Sequence, residues 1–348
     1  MKIALMVSGT LLNGHNGVGT FIDALRGMLS ETHNVDIIVT DVGPATRPHY
    51  YIDPLESDIS TISRHFRKRA SDIELQPEAE RPLYMLRQWG IPAMERALGN
   101  YLATNKPDIV IANDVVSAAV LIPASESNLS HARCFYYGHF PDDIYDMPED
   151  HPEYRDLDPA VIAYHRENLA RRGRVTYLSS TATAVKAYGK YGPALYAPMP
   201  CARYFKESAP RSNTVWINSG NYPRKRKDFM LKVAEAAGVK VAMADGVSSF
   251  EAILSGAVNC AVMLHLSAGD IMPYAVLEAC GAMHVVLAAD AVWANELPIT
   301  NYSKILTTDI PTAAKQLRQI VDKAASFQRD DMMAYNSEVE AIWQELLL

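Results

Sequence analysis

Leu264–Asp290 reads LHLSAGDIMPYAVLEACGAMHVVLAAD. The apolar run Cys260–Leu266 has the length and composition of a buried strand. Ser267–Met272 reads as a loop, Tyr274–Ala282 as a helix and His284–Ala288 as a second strand. Pro273 suits the first turn of that helix, where its missing N–H costs nothing, and Gly281–Met283 suits its end. Strand, loop, helix and strand in succession imply a parallel sheet, and open α/β sheets bind ligands in the crevice at the carboxyl edge of the strands. Asp270 falls in the loop at that edge and Glu278 a little over one turn into the helix. The first N–H groups of a helix attract anions such as phosphate. An ionised carboxylate accepts from both hydroxyls of a vicinal diol, the group that ribose and hexoses present. Two carboxylates beside a phosphate seat suggest a sugar nucleotide. Taken singly, Glu278 also reads as a solvated helix residue and Asp270 as a cap-like loop residue.

The run DIMPYAVLEACG, with seven residues between Asp270 and Glu278, resembles the E-x7-E motif of retaining GT-B glycosyltransferases of the GT4-like group, written E-G-F-G-x-x-x-x-E-A-x-x-x-G. The resemblance implies an α/β protein of GT-B fold, two Rossmann-like domains facing a central cleft. It makes Glu278 the ribose acceptor and Asp270 the contact to the donor sugar. Ile271, Met272 and Pro273 stand in place of Gly-Phe-Gly, whose loop N–H groups surround that sugar, and Asp270 stands in place of the first Glu.

A chain of 348 residues exceeds what one core usually supports, so two domains are expected. A composition 49% hydrophobic and 21% charged is that of an ordinary globular protein. The net charge of −7 gives no global attraction to nucleic acid or to an anionic membrane. Cys134, Cys201, Cys260 and Cys280 are scattered with no C-x-x-C, which argues against a disulfide framework or a zinc site. Met1–Val7 runs into a strand with no long apolar segment, and no 18 consecutive apolar residues occur. The expectation is a cytoplasmic protein, in the host cytoplasm if viral, with neither signal peptide nor transmembrane helix.

Along the chain, Lys2–Val7 is a strand, Ser8–Gly19 a glycine-rich loop, Val18–Ser30 a helix and Val35–Thr40 the next strand. Gly14, Gly17 and Gly19 let the backbone approach a ligand at a helix N-terminus, although their order is not that of the dinucleotide fingerprint. The pattern GVGTFIDALRGML resembles the opening of GT4-like enzymes, which implies that Gly17, Val18 and Gly19 meet the donor phosphates. Ala45–Asn105 is less regular and more polar, with a basic cluster at Arg64, His65, Arg67, Lys68 and Arg69, read as a solvated face or an anion contact. Asp108–Ala112 is a strand ending at Asn113 and Asp114, followed by a buried helix over Val115–Ile122. Ala132–Tyr137 is another strand, which sets His139 at the same edge. GT4-like enzymes often carry a His after this strand that contacts the donor sugar, and His139 matches by position; a histidine beside aromatic residues also reads as packing.

The acidic stretch 142–158 reads as a solvated loop, a lid, a divalent ion site or a contact for a basic acceptor; no EF-hand spacing is present, so no metal is assigned. Helices over Val161–Arg172 and up to Tyr191 flank a strand at Val175–Leu178. Pro193–Asn213, with four prolines, reads as the linker between an N-terminal Rossmann-like acceptor domain (1–195) and a C-terminal donor domain (210–330). The second half repeats the alternation: strand Thr214–Asn218, helix Asp228–Ala237, strand Val239–Ala244, helix Phe250–Leu254, then the unit quoted first. Pro311–Ala325 and 332–348 are terminal helices, and the resemblance implies that the last packs back on the first domain.

NYPRKRK, Asn221–Lys227, follows the second domain's first strand. Removing a sugar from a nucleotide requires stabilising a departing diphosphate, for which cations and oriented N–H donors are the usual means. GT4-like enzymes carry G-R-x-x-x-x-K-G here. Lys225 takes the lysine position and the arginine position falls on Gly220 or Asn221, so Arg224 would have to substitute for it. The run also reads as a solvated turn. The resemblance implies front-face transfer with retention: the acceptor hydroxyl attacks on the side from which the nucleotide leaves, the diphosphate takes its proton, and Lys225 and Arg224 stabilise the charge. No cofactor is expected beyond the co-substrate, a UDP-sugar. The acceptor stays open. Weaker similarity to viral DNA glucosyltransferases makes a hydroxymethylated base in DNA one option, and a sugar-nucleotide epimerase or a non-catalytic sugar-nucleotide binding protein are others.

Overall fold

The computed structural model describes residues 1–8, 17–39, 50–52, 83, 86–139, 159–171, 173–201, 204–205, 208–217, 225–243, 255–267, 272–289, 295–296 and 299–348. The chain divides into two compact units, one built on residues up to Ala197 and the other on Pro198–Leu346.

The first unit holds a seven-stranded sheet. Its strands are β1 (Lys2–Val7), β2 (Asn34–Val39), β3 (Tyr50–Ile52), β4 (Ile109–Ala112), β5 (Arg133–Tyr137), β6 (Val175–Ser179) and β7 (Ala194–Tyr196), in the order β3-β2-β1-β4-β5-β6-β7. Every pairing is parallel, as in Ile3↔Val35 and Ile3↔Ile109. Ile3 to Val7 and Ile109 to Ala112 are buried throughout. Strands covered by helices on both faces read as continuous apolar runs, which is why β1 and β4 stand out in the sequence. Helix α1 (Gly17–Leu29) buries Val18, Phe21, Ile22, Leu25 and Leu29, one stripe at helical spacing. Helices α2 (Ile91–Leu102), α3 (Val115–Ser125), α4 (Pro159–Ala170) and α5 (Ala182–Tyr188) follow. Helix α3 is apolar almost all round and buried on nearly every side.

The second unit holds a five-stranded parallel sheet: β8 (Thr214–Ile217), β9 (Lys240–Met243), β10 (Val262–His265), β11 (His284–Ala288) and β12 (Tyr302–Ile305), in the order β12-β11-β10-β8-β9. Its helices are α6 (Lys227–Ala236), α7 (Tyr274–Cys280), α8 (Ile310–Lys323) and α9 (Met332–Leu347). Asp309 caps α8 through Thr312 N–H, and Asp331 caps α9 through Met333 and Ala334 N–H. Helix α9 is fastened to the segment that opens this unit. Trp343 Nε1–H donates to Pro198 O at 2.8 Å, Tyr335 Oη–H to Met199 O at 2.7 Å, and the Asn336 amide bonds both backbone groups of Cys201.

The unit quoted first is present as read: β10, α7 and β11 succeed one another, with Val262 beside His284 in parallel register. Several elements escaped the sequence reading, β3 (Tyr50–Ile52) in the stretch read as irregular among them. Ala194–Tyr196 forms β7 inside the proline-bearing stretch read as linker, α2 lies in the stretch read as irregular, and Tyr302–Ile305 forms β12. The helix after Asp114 runs on to Ser125 through Pro123, and the helix after Thr181 stops at Tyr188, not Tyr191.

Candidate functional site

In the second sheet the chain runs from β8 outward to β9, then returns to the other side of β8 and continues through β10, β11 and β12. The loops leaving β8 and β10 therefore part at their carboxyl ends, the crevice where doubly wound sheets take ligands. Both of the sequence's sharpest motifs hang from these two strands. Lys225 lies between β8 and α6, half-buried, and Glu278 lies on α7 after β10. Leu266 N–H, just past β10, donates to Met230 Sδ of α6 at 3.4 Å, which ties the end of β10 to α6.

Glu278 is 6% exposed, so it is not the solvated helix residue of the plainer reading. Carboxylates are rarely buried this far without a purpose or a partner. Helix α7 is packed all round: Tyr274, Val276, Leu277, Ala279 and Cys280 are buried too. Its backbone is anchored at Glu278 O, which accepts from Phe205 N at 2.7 Å, and at its start by Tyr274 Oη–H donating to Pro200 O. Pro273 is the residue that caps α7 and not its first turn (φ −71°, ψ 118°), and Met272 is buried beside it. The Met272 side chain therefore belongs to the core. Asp270, Ile271, Arg224 and Asn221 lie outside the described residues, as do the clusters at 64–69 and 142–158.

A cavity of about 350 Å³ opens at this carboxyl edge. Arg226 and Phe229 of the α6 start, Leu266 past β10, Ala288 at the end of β11, and Ile305 and Thr307 at the end of β12 line it. The volume lies in the range of small-molecule sites, about 300–1,000 Å³. Arg226 is the non-glycine residue with a left-handed backbone among the described residues, at φ 53° and ψ 38°. Such a conformation costs a side-chain-bearing residue about 1–2 kcal/mol. The sequence reading placed Arg226 in the basic run but gave it no role, and it passed over Phe229 and the β12 wall.

The first sheet has its own reversal, between β1 and β4. Asp114, 3% exposed, sits there. Its carboxylate accepts from Ser8 N–H at 2.7 Å, Ser8 Oγ at 3.3 Å, Val116 N–H at 2.8 Å and Ser117 N–H at 3.0 Å. Burial pushes its pKa up, and the hydrogen bonds from Ser117, Ser8 and Val116 oppose the shift. Asp114 therefore caps α3 and fixes the exit of β1 from which the glycine-rich loop departs. Gly17 opens α1 and is exposed, whereas Val18 and Gly19 are buried.

His139 is half-exposed at the same edge. Its ring lies 4.7 Å edge-on from Phe21 of α1 and 4.7 Å from Tyr137, so the histidine and the start of α1 are brought together through aromatic packing. Gly138 makes this possible. A Cβ there would come within 3.0 Å of the hydroxyl oxygen and two ring carbons of the buried Tyr188.

The remaining nucleophile candidates are silent. All four cysteines are free and buried. Burial pushes the Cys134 thiol up to about 11 and the Cys260 thiol up to about 12, and raises Cys280 as well, so none of these three is a thiolate near neutral pH. Among the described residues no group of three His, Cys, Asp or Glu could hold a metal, and no helix is long and apolar enough to cross a membrane.

No family model matches the chain, and no curated protein does. Solved structures do. The chain is similar to sucrose-phosphate synthase from Thermosynechococcus elongatus, at 14% identity and TM-score 0.64, over 100% of this chain and 96% of that one. It is similar to the UDP-forming trehalose-phosphate synthase of Burkholderia xenovorans, at 13% identity and TM-score 0.57, over 99% and 98%. The catalytic domain of starch synthase IV from Arabidopsis thaliana, bound to ADP and acarbose, matches at 11% identity and TM-score 0.56, over 97% and 94%. At these identities the likeness speaks for the fold: the chain has the GT-B fold, with two parallel α/β sheets of Rossmann type.

Proposed function

We propose that the chain is a glycosyltransferase that moves a sugar from a nucleotide-sugar donor, a UDP-sugar, to an acceptor hydroxyl with retention. The observation that carries this reading is the cavity at the carboxyl edge of β10 to β12, within a GT-B fold and walled in part by Arg226, the residue that follows the motif lysine Lys225. One of the similar structures is of a UDP-forming enzyme, and another, of Anabaena HepE at TM-score 0.54, contains UDP.

In this reading the nucleotide lies across the carboxyl ends of β8 and β10. The Glu278 carboxylate takes the two ribose hydroxyls, and its burial strengthens those bonds by excluding water. Lys225, with Arg224, holds the diphosphate and stabilises its charge as the glycosidic bond breaks. The acceptor oxygen attacks the anomeric carbon on the face the diphosphate leaves, and the acceptor's proton passes to the departing diphosphate, so no protein nucleophile is used. Asp270 and the backbone of Ile271, Met272 and Pro273 hold the donor sugar. The resemblance assigns His139 to that sugar and Gly17, Val18 and Gly19 to the phosphates.

The test is thermal shift with UDP-, GDP-, ADP- and dTDP-sugars on the native chain, Glu278→Ala and Lys225→Ala. A ligand that binds only the folded state raises the midpoint, by about 2.7 kcal/mol of stability at a hundred times Kd. A rise selective for one nucleotide and lost in both variants supports the reading. A chain indifferent to every donor, with and without glucose or glucose-6-phosphate as acceptor probes, overturns it.

A further inference from the structure

We infer that Arg226 is a phosphate-binding residue of the donor site, held there by a left-handed backbone that glycine would adopt more readily. The inference rests on the nucleotide-sugar reading and assigns a cation that the motif residues do not include.

The cavity at the carboxyl edge has one side chain of fixed charge in its described wall, that of Arg226. Phe229, Leu266, Ala288 and Ile305 add apolar surface, and Thr307 and Thr308 add hydroxyls, so the rest of the wall is mixed. A guanidinium offers donors only, in a planar fork that matches two oxygens of a phosphate. A phosphate is the ligand that such a fork matches, and the mixed wall of side chains and hydroxyls beyond it suits the sugar and base of a nucleoside. A nucleoside phosphate has both parts.

The backbone supports the assignment independently. Arg226 is the N-cap of α6: its carbonyl accepts from Met230 N at 3.0 Å, but its side chain does not cap the helix. Asn, Asp, Ser or Gly would cap better, and Gly or Asn would adopt φ 53° with less strain. In the G-R-x-x-x-x-K-G pattern, the residue after the lysine is glycine. Here arginine occupies that place, at a conformational cost, with Phe229 three residues on and lining the same cavity. Residues kept in such a conformation cluster at ligand clamps.

The experiment is calorimetric titration of uridine, UMP and UDP into the native chain, Arg226→Gly and Arg226→Lys, with unfolding midpoints of the ligand-free proteins. Arg226→Gly should remain folded, because glycine suits the backbone, and the midpoints check this. It should weaken UDP roughly tenfold or more while uridine stays within about twofold. Arg226→Lys, which keeps a charge without the fork, should fall between the two. If the native chain binds UDP and Arg226→Gly leaves the ratio of UDP to uridine affinity unchanged, this assignment is wrong and the nucleotide reading stands. Equal weakening of uridine and UDP would place the guanidinium on the nucleoside and also overturn it. If the native chain binds none of the three, nor ADP or GDP, the nucleotide reading itself fails and takes this inference with it.

Discussion

Gly138→Ala is the substitution whose consequence follows most directly from packing. The added methyl would come within 3.0 Å of Oη, Cζ and Cε2 of Tyr188. That ring is buried, stacked on Tyr177 at 5.8 Å and 6° and edge-on to Tyr136 at 5.8 Å, so it has no open side to move to. The Gly138 backbone is held as well, since its N–H donates to Leu178 O at 2.9 Å. Forced overpacking costs about 1–3 kcal/mol, and three simultaneous overlaps against a fixed ring put this case at about 3 kcal/mol. At about 2–4 °C per kcal/mol for a unit of this size, the midpoint should drop by about 6–12 °C. Urea and thermal unfolding of a double-mutant cycle with Tyr188→Ala isolate the cause. Alone, Tyr188→Ala should cost about 3–5 kcal/mol, as large aromatic truncations do, and in its background Gly138→Ala should cost less than about 0.5 kcal/mol. Because His139 is the next residue, the single variant should also lower transfer activity more than the double-cycle stability alone explains. An equal cost for Gly138→Ala in both backgrounds would refute the reasoning.

Two further outcomes follow from buried polar groups. Asp114→Ala removes the α3 cap and the anchor of Ser8 together and should cost about 1–3 kcal/mol in urea unfolding, with Asp114→Asn intermediate because its Oδ1 still serves Val116 and Ser117. His284 bonds Asn301 at 2.6 Å and Ser303 at 2.8 Å and stacks on Phe327, and burial lowers its pKa below 6.5 against the opposing pull of Asn301 and Asp330. The unfolded chain then binds more protons between the folded pKa and 6.5, so this residue's stabilisation is full above 6.5 and is lost as pH falls through the folded value. The native midpoint should therefore fall more between about pH 7.5 and about pH 5.5 than that of His284→Asn; parallel slopes would contradict it.

What the sequence revealed and what it concealed have the same physical origin. Strands β1, β4, β10 and β11 are covered on both faces, so burial writes itself as an apolar run. Strand β12, YSKI, lies at a sheet edge with Ile305 as its one fully buried residue, and β7 is three residues long with Leu195 and Tyr196 exposed; neither leaves a pattern to read. The cost was functional, because the end of β12 is one wall of the cavity. Glu278 was found by its spacing, but only the packing of α7 distinguishes a buried carboxylate from a solvated one. Arg226 was hidden among four consecutive cations: nothing in RKRK says which residue turns left-handed. The Gly-x-x-Gly-x-Gly loop signalled a close approach of backbone, whereas Asp114, which anchors the strand end before it, read only as an acid at a strand end.

The measurement that bears most directly on the donor site is a crystal structure of the chain soaked with UDP. The nucleotide should lie at the carboxyl edge of β8 and β10, its ribose hydroxyls on the Glu278 carboxylate, its phosphate against Arg226 and Lys225, and its base in the cavity beside Phe229. A nucleotide bound elsewhere, or a cavity still empty at millimolar UDP with Glu278 turned from it, would contradict the assignment of this edge as the donor site.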